Sequence, residues 1–310
     1  MKDKLLPLIT ALLVLAGVSM LTYPYAASWF SQKNQSAITA NYSKTVKYVR
    51  PDAKTQIQAA HTYNQALTSG AQLKPNTRIP VGTGTLHHND TATAADDSVD
   101  GLTYDQILRV DSTGLMARLR IPSIDVDLPV YHGTDDATLL KGVGHLFGTS
   151  MPVGGKGTRT VLTAHRGLAD AALFTYLDKV KVGDVFTIEV FDQLLTYKVI
   201  DTVVVEPEDT ETIRSDPDRD LATLVTCTPL GINTHRILVT GERVFPNPKS
   251  LEKTKGAAPE VPRFPWWAVV WIPAVLGCLG YIGYLFLFPL VKRTKQDDDA
   301  EEESSIKTSP

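Results

Sequence analysis

The sequence predicts a mainly β domain, a sandwich or a barrel, carried between two membrane segments. Three observations carry that expectation. Short β-branched runs bounded by turn residues recur between Leu115 and Val244. A long uncharged apolar stretch stands near each end of the chain. Helical spacing of apolar residues stands ahead of the first strand, over Asp52–Leu67.

Near the N-terminus no charged residue occurs between Leu5 and Gln32, and Leu8–Leu21 is almost continuously apolar behind Lys2 and Lys4. That pattern is a secretory signal or an uncleaved signal-anchor over residues 1–32; Ala26-Ala27-Ser28 offers a small-residue cleavage site. The second stretch, Pro265–Val291, is uncharged over 27 residues. A bilayer core needs roughly 20 apolar helical residues, so this run is long enough to span. Trp266, Trp267 and Trp271 lie at its N-terminal end, where amphipathic rings favour the headgroup region. Lys292, Arg293 and Lys295 follow, then an acidic tail, giving a terminal segment 292–310. The positive-inside rule puts both termini in the cytoplasm and the intervening residues outside the cell, although Lys253, Lys255 and Arg263 reduce the contrast.

Between these anchors, residues 33–74 are predicted helical: Asp52–Leu67 lacks Gly and Pro, and Ile57, Ala60 and Leu67 recur at helical spacing, with Gly70 as a stop. Pro75–Gly101 is rich in Thr, Gly, Asn, Asp and Ala and is predicted to be an exposed loop. Strands are then predicted at Leu115–Ile121, Val126–Tyr131, Thr158–Thr163, Val185–Val190, Leu194–Val205, Ala222–Cys227 and Ile237–Val244, with one short helix at Ala169–Leu177. The organisation expected is a helical, lid-like region at 33–110, a β domain at 111–248, a linker at 249–264 and a membrane helix at 265–291.

Composition excludes several functions. Lys+Arg number 31 against 34 Asp+Glu, so no basic bias recommends nucleic acid as a partner. Two cysteines make neither a disulfide framework nor a four-cysteine zinc site, and no metal or cofactor is expected. Cys278 falls in the second membrane segment, which leaves Cys227 alone in the exported region: intermolecular, buried and inert, or reactive.

Cys227 ends the run Thr223–Cys227, and Arg236 opens the next run after a turn, so two consecutive strands would bring both to one end of a sheet. Thiolate chemistry needs a proton partner, most simply a histidine. His87 and His88 sit in the polar loop, His61 on the helical stretch, and His235 on the opposite face from Arg236. His132 and His145 lie in turn-rich segments and stay open as the base. His165 directly follows the Thr158–Thr163 strand and is the best candidate.

At these residues the sequence resembles a known family. Thr223-Leu224-Val225-Thr226-Cys227 with Arg236 resembles the signature around the nucleophile of sortases, and Val161–Gly167 resembles their catalytic histidine segment. Tyr131–Thr134 and Gly142–Gly155, with the N-terminal extension and the second membrane helix, resemble class C, the pilin-polymerising sortases. The resemblance implies an eight-stranded sortase-type β-barrel with N-terminal helices and two terminal transmembrane helices. It implies a membrane-bound cysteine transpeptidase of a Gram-positive cell that cleaves an LPxTG-like sorting signal between Thr and Gly. The acyl group would be joined to a pilin lysine amine, with pilin or surface proteins as partners. Cys227 would be the nucleophile, His165 the general acid/base and Arg236 the stabiliser of the carbonyl oxygen. Class C members usually carry a lid with an Asp-Pro-aromatic anchor; no such triplet occurs in residues 31–110, so a lid is expected only by the position of Pro75–Gly101.

Three other readings compete. A papain-like peptidase wants its Cys on a helix N-terminus ahead of its His, the reverse of the order here. A housekeeping sortase would use a cell-wall peptide amine as acceptor. A membrane-tethered β domain acting as adhesin or scaffold would leave Cys227 buried and without chemistry.

Overall fold

The computed structural model describes residues 2–67, 98–99, 102–257 and 264–307, and the chain divides into two units, residues 1–29 with 263–310 and residues 30–262. Most of the expected loop Pro75–Gly101, with His87 and His88 and the expected stop Gly70, lies outside the described residues.

The first unit holds the N-terminal part of helix α1 (Lys2–Thr45) and the long terminal helix, Trp266–Lys307. Both are long and apolar enough to cross a membrane. They touch through Trp29 and Trp267, whose rings meet edge-on at 6.3 Å, and through Trp271 Nε1, which donates to Ser19 Oγ at 3.0 Å. Their large apolar side chains, among them Leu6, Leu13, Met20 and Leu276, are exposed, which suits a lipid solvent rather than a protein core.

In the second unit α1 ends at Thr45, the chain turns through residues 46–52, and α2 covers Ala53–Ala66. Asp52 caps α2, its carboxylate accepting from the Lys54 and Thr55 amides at 2.9 and 3.2 Å. The sequence-predicted helical stretch is therefore two helices separated at Arg50-Pro51, where proline disfavours helix for the residue before it.

Eight strands close a barrel: β1 (Leu115–Ile121), β2 (Val126–His132), β3 (Val143–His145), β4 (Thr158–Thr163), β5 (Val185–Val190), β6 (Gln193–Val205), β7 (Asp220–Thr228) and β8 (His235–Arg243). Their order around the wall is β8-β6-β5-β1-β2-β3-β4-β7, with β7 returning to β8. β2 with β3 and β4 with β7 are parallel; the other pairs are antiparallel. Closure leaves no free sheet edge.

Two expectations are corrected. The short helix at Ala169–Leu177 does not form: turns occupy that segment and only Leu177–Lys179 make a single 3₁₀ turn. The Phe174 amide there donates to His165 O at 3.1 Å, a long-range bond that a local helix would forfeit. β3 was not predicted, because three residues carry too little pattern; its pairing with both β2 and β4 makes it a strand.

Alternation gives the β7–β8 wall two apolar faces. Ala222, Leu224, Ile237 and Val239 join the main core, with Phe186, Tyr197 and Leu119. Val225 and Leu238 face the other way and pack with Val161, Leu146 and Ile213 in a second cluster. The end of α1 and residues 249–257 are fastened to the far side of the barrel. Tyr42 Oη donates to Met116 O at 2.9 Å and accepts from the Phe191 amide at 2.7 Å. Arg118, 1% exposed, forms a bidentate pair with Asp127 at 2.7 and 2.6 Å and donates to Ala257 O at 2.8 Å. Glu189 Oε1 accepts from Ser43 Oγ and from the Gly256 amide, each at 3.0 Å.

Candidate active site

The β7–β8 register builds the site. Cys227 is the direct cross-strand partner of Arg236, one pair inside the strand ends. Directly opposite residues share a face, so both side chains lie on the face of Val225 and Leu238, outside the barrel lumen. Thr223 and Thr240, opposite each other and in step with them, exchange a hydroxyl bond at 3.1 Å, which fixes that face assignment.

β4 supplies the third residue. It runs parallel to β7 with Thr163 beside Val225, so continuing the register by two residues sets His165 alongside Cys227. The bonds beyond the strand end maintain that register: the Ala164 amide donates to Val225 O at 3.3 Å, and Thr226 Oγ donates to Ala164 O at 2.8 Å. His165, Cys227 and Arg236 are 4%, 1% and 0% exposed.

The turn from β7 to β8 shapes one side of this face. Pro229 O accepts from the Ile232 and Asn233 amides at 3.1 and 2.9 Å, and Asn233 adopts φ 61°. Asn tolerates that left-handed conformation better than most residues. Asn233 O and His235 O each accept from Arg236 Nη1 at 2.9 Å, tying the guanidinium to the turn. Burial lowers the Arg236 pKa, opposed by the nearby Cys227 and Glu208. The group stays a cation, because guanidinium does not lose its proton in proteins.

The connection from β6 to β7 forms another side. Its Ile213, 1% exposed, caps the second apolar cluster, and Val203 and Val205 of β6 border it. Arg159 on β4 holds the connection down, Nη1 donating to Thr212 O at 3.1 Å and to Thr223 Oγ at 3.0 Å. The second apolar cluster thus lies on the same face as the thiol and the guanidinium, beside the strand end that leads to His165.

The other histidines do different work. His145 is buried on β3, its Nε2 facing Ser150 O at 2.9 Å and its Nδ1 facing Tyr104 Oη at 2.9 Å, and burial lowers its pKa to about 4. His132 on β2 sets its two ring nitrogens against Gly114 O and Ile107 O at 2.9 and 2.7 Å. The turn-rich reading of both is corrected: both are strand residues, and His132 through the Ile107 and Gly114 carbonyls and His145 through the Tyr104 hydroxyl tie residues 104–114 to the barrel. His235 Nε2 meets Glu206 at 3.0 Å. Among the described residues no group of His, Cys, Asp and Glu could hold a metal ion. Sequence reasoning gave no role to Arg159 or Tyr104; lone polar residues in a strand and a turn carry no local signal of the long-range partners they find.

Comparison with known proteins agrees with this geometry. Residues 119–244 match the sortase domain model. The chain is 46% identical to sortase C-1 of Actinomyces oris, covering 62% of this chain and 98% of that one with a TM-score of 0.51. The pilus-related sortase C of Group B Streptococcus matches at 32% identity over 66% of this chain and 96% of that one, with a TM-score of 0.56. Among curated proteins, sortase D of Bacillus subtilis is 30% identical over 129 residues, which is 41% of this chain and 62% of that protein. The chain thus spans rather less than two thirds of the length of that curated relative, while covering nearly all of the solved class C domains. An eight-stranded barrel with these neighbours and this thiol-bearing strand leads to one assignment: the chain belongs to the sortase family, on its class C branch.

Proposed function

We propose that this protein is a membrane-anchored pilin-polymerising transpeptidase, with Cys227 as nucleophile, His165 as general acid/base and Arg236 as the donor to the reacting carbonyl oxygen. The observation that carries the reading is the Cys227–Arg236 cross-strand pair, with His165 on the end of the adjacent parallel strand. The Cys227 sulfur attacks the Thr carbonyl carbon of an LPxTG-like signal, and the developing oxyanion receives hydrogen bonds from Arg236. Such a donor is worth about 3–4 kcal/mol where one has been removed. The C–N bond then breaks, His165 gives its proton to the departing Gly amine, and a thioester joins substrate to Cys227. An incoming lysine amine attacks the thioester and loses a proton to His165; an amide forms and the Cys227 thiolate leaves. No water is consumed, so the product is a ligated chain.

Pilin as the substrate class is supported by the pilus-related sortase C of Group B Streptococcus, matched over 96% of its length. Membrane attachment is supported by the two apolar helices, and the basic residues at both ends favour cytoplasmic termini with the barrel outside the cell. The test incubates the full chain in detergent with an LPxTG-type peptide and a pilin carrying an acceptor lysine. A cross-linked product that disappears in Cys227→Ala supports the reading. Transfer only to a cell-wall peptide amine would instead assign the housekeeping role.

A further inference from the structure

Arg166 follows the proposed base and belongs to none of the steps above, yet its guanidinium is spent entirely on the two elements that carry the site. Nη1 donates to Thr228 Oγ at 3.1 Å, one residue past Cys227 at the end of β7. Nε donates to Thr175 O at 3.2 Å, and Nη2 pairs with Asp178 at 2.9 Å, both on the segment that follows β4. The Arg166 side chain is only 10% exposed. Each of the three guanidinium nitrogens thus meets a different acceptor, one at the end of β7 and two on the segment that follows β4.

This arrangement answers a problem that the register of β4 leaves open. His165 lies two residues beyond the end of its strand, outside the ladder that fixes Thr163. Its backbone is held by the Ala164 amide on Val225 O and by its own carbonyl, which accepts from the Phe174 amide at 3.1 Å. Beyond it the segment 167–176 is returned toward the barrel by the Gly167 amide on Thr175 Oγ at 3.1 Å. The Arg166 side chain joins that returning segment to the Cys227 strand end. A guanidinium is a rigid planar fork, so three simultaneous bonds fix direction as well as distance. The Asp178 pair alone explains little: Asp178 is 44% exposed, and ion pairs of that kind contribute little to stability.

We infer that Arg166 is a positioning residue for the thiol–imidazole pair, holding the His165 segment in register with the end of β7. The inference rests on the reading of Cys227 and His165 as nucleophile and acid/base. A misplacement of about 1 Å in such a pair costs on the order of 100-fold in rate. Thr228 is the acceptor that makes the assignment specific, because it couples Arg166 to the nucleophile's strand rather than to its own loop.

The test uses the full chain in detergent and two readouts: transpeptidation kinetics, and the pH dependence of Cys227 alkylation by iodoacetamide. Arg166→Ala is expected to lower kcat about 100-fold with KM within about twofold, and Arg166→Lys to recover less than a tenth of the loss, since an ammonium cannot reproduce the fork. Thr228→Val, nearly isosteric, keeps the question answerable if Arg166→Ala unfolds; it is expected to lower kcat about tenfold at unchanged thermal midpoint. The alkylation profile is expected to shift in Arg166→Ala and in His165→Ala, with no further shift in the double variant, because Arg166 acts through His165. Additive shifts, or kcat within about twofold of wild type in both Arg166→Ala and Thr228→Val, overturn the inference while leaving the catalytic reading intact. Full activity in His165→Ala or Cys227→Ala would overturn both.

Discussion

Cys227 and Arg236 are cross-strand partners in the β7–β8 ladder, so the thiol and the guanidinium share one face of a closed barrel. Arg236 is fully buried and tied at Nη1 to Asn233 O and His235 O, 2.9 Å from each. Replacing it with lysine keeps the charge and loses the fork. Arg236→Lys is expected to lower kcat about 100-fold or more, measured as the rate of peptide ligation, with KM changed far less.

The β domain was legible in the residues because its strands are long, β-branched and bounded by turns: Leu115–Ile121, Thr158–Thr163 and Val185–Val190 have the bounds the pattern predicts. Cys227 and Arg236 were legible as neighbours because consecutive strands joined by a short connection usually pair. Three-residue β3 was not, since its strand character comes from β2 and β4, and neither is near it in local pattern. The sequence leaves His132 and His145 open as bases because it does not reveal that the ring nitrogens of His132 face two carbonyls and those of His145 a carbonyl and the Tyr104 hydroxyl. Ala169–Leu177 reads as helix by composition, but its amides serve His165 and the turns around it.

His145 makes folding pH-dependent. Burial holds its pKa at about 4 in the folded chain, against about 6.5 for a free imidazole. The unfolded chain therefore binds more protons below about pH 6.5, so this contribution is complete above that pH and is lost as pH falls toward 4. The loss between pH 7 and pH 4.5 is expected to be about 2–3 kcal/mol. Urea unfolding at both pH values should show that loss in wild type and a correspondingly smaller one in His145→Gln.

Gly167 borders His165 and Arg166 with φ +73°, and a Cβ there would stand 2.5 Å from Leu230 Cδ1. Leu230 is 56% exposed and can swing aside, so the contact is the smaller problem. The left-handed backbone is not relieved by that movement. Gly167→Ala is expected to cost about 1–2 kcal/mol in chemical denaturation, and adding Leu230→Ala should restore less than half of it.

Arg118 is buried beside two acids, with Asp127 at 2.6 Å and Glu189 at 3.8 Å. Asp127→Ala leaves that cation with the Ala257 carbonyl and, as its one acid, the more distant Glu189, and is expected to destabilise the chain by about 3 kcal/mol. Because the cost is an uncompensated charge, Arg118→Met with Asp127→Leu should cost less than Asp127→Ala alone. A urea midpoint lower in the double variant than in the single would contradict this.

In the proposed mechanism Cys227 carries the acyl group between a sorting signal and an amine. Intact-mass measurement of the full chain, mixed with an LPxTG-type peptide and then with an acceptor amine, tests it most directly. The expected result is an adduct equal to the peptide cleaved after Thr, borne on Cys227, which disappears when the amine is added as the ligated product appears. An unmodified Cys227 during turnover, or turnover that survives Cys227→Ala, would contradict it.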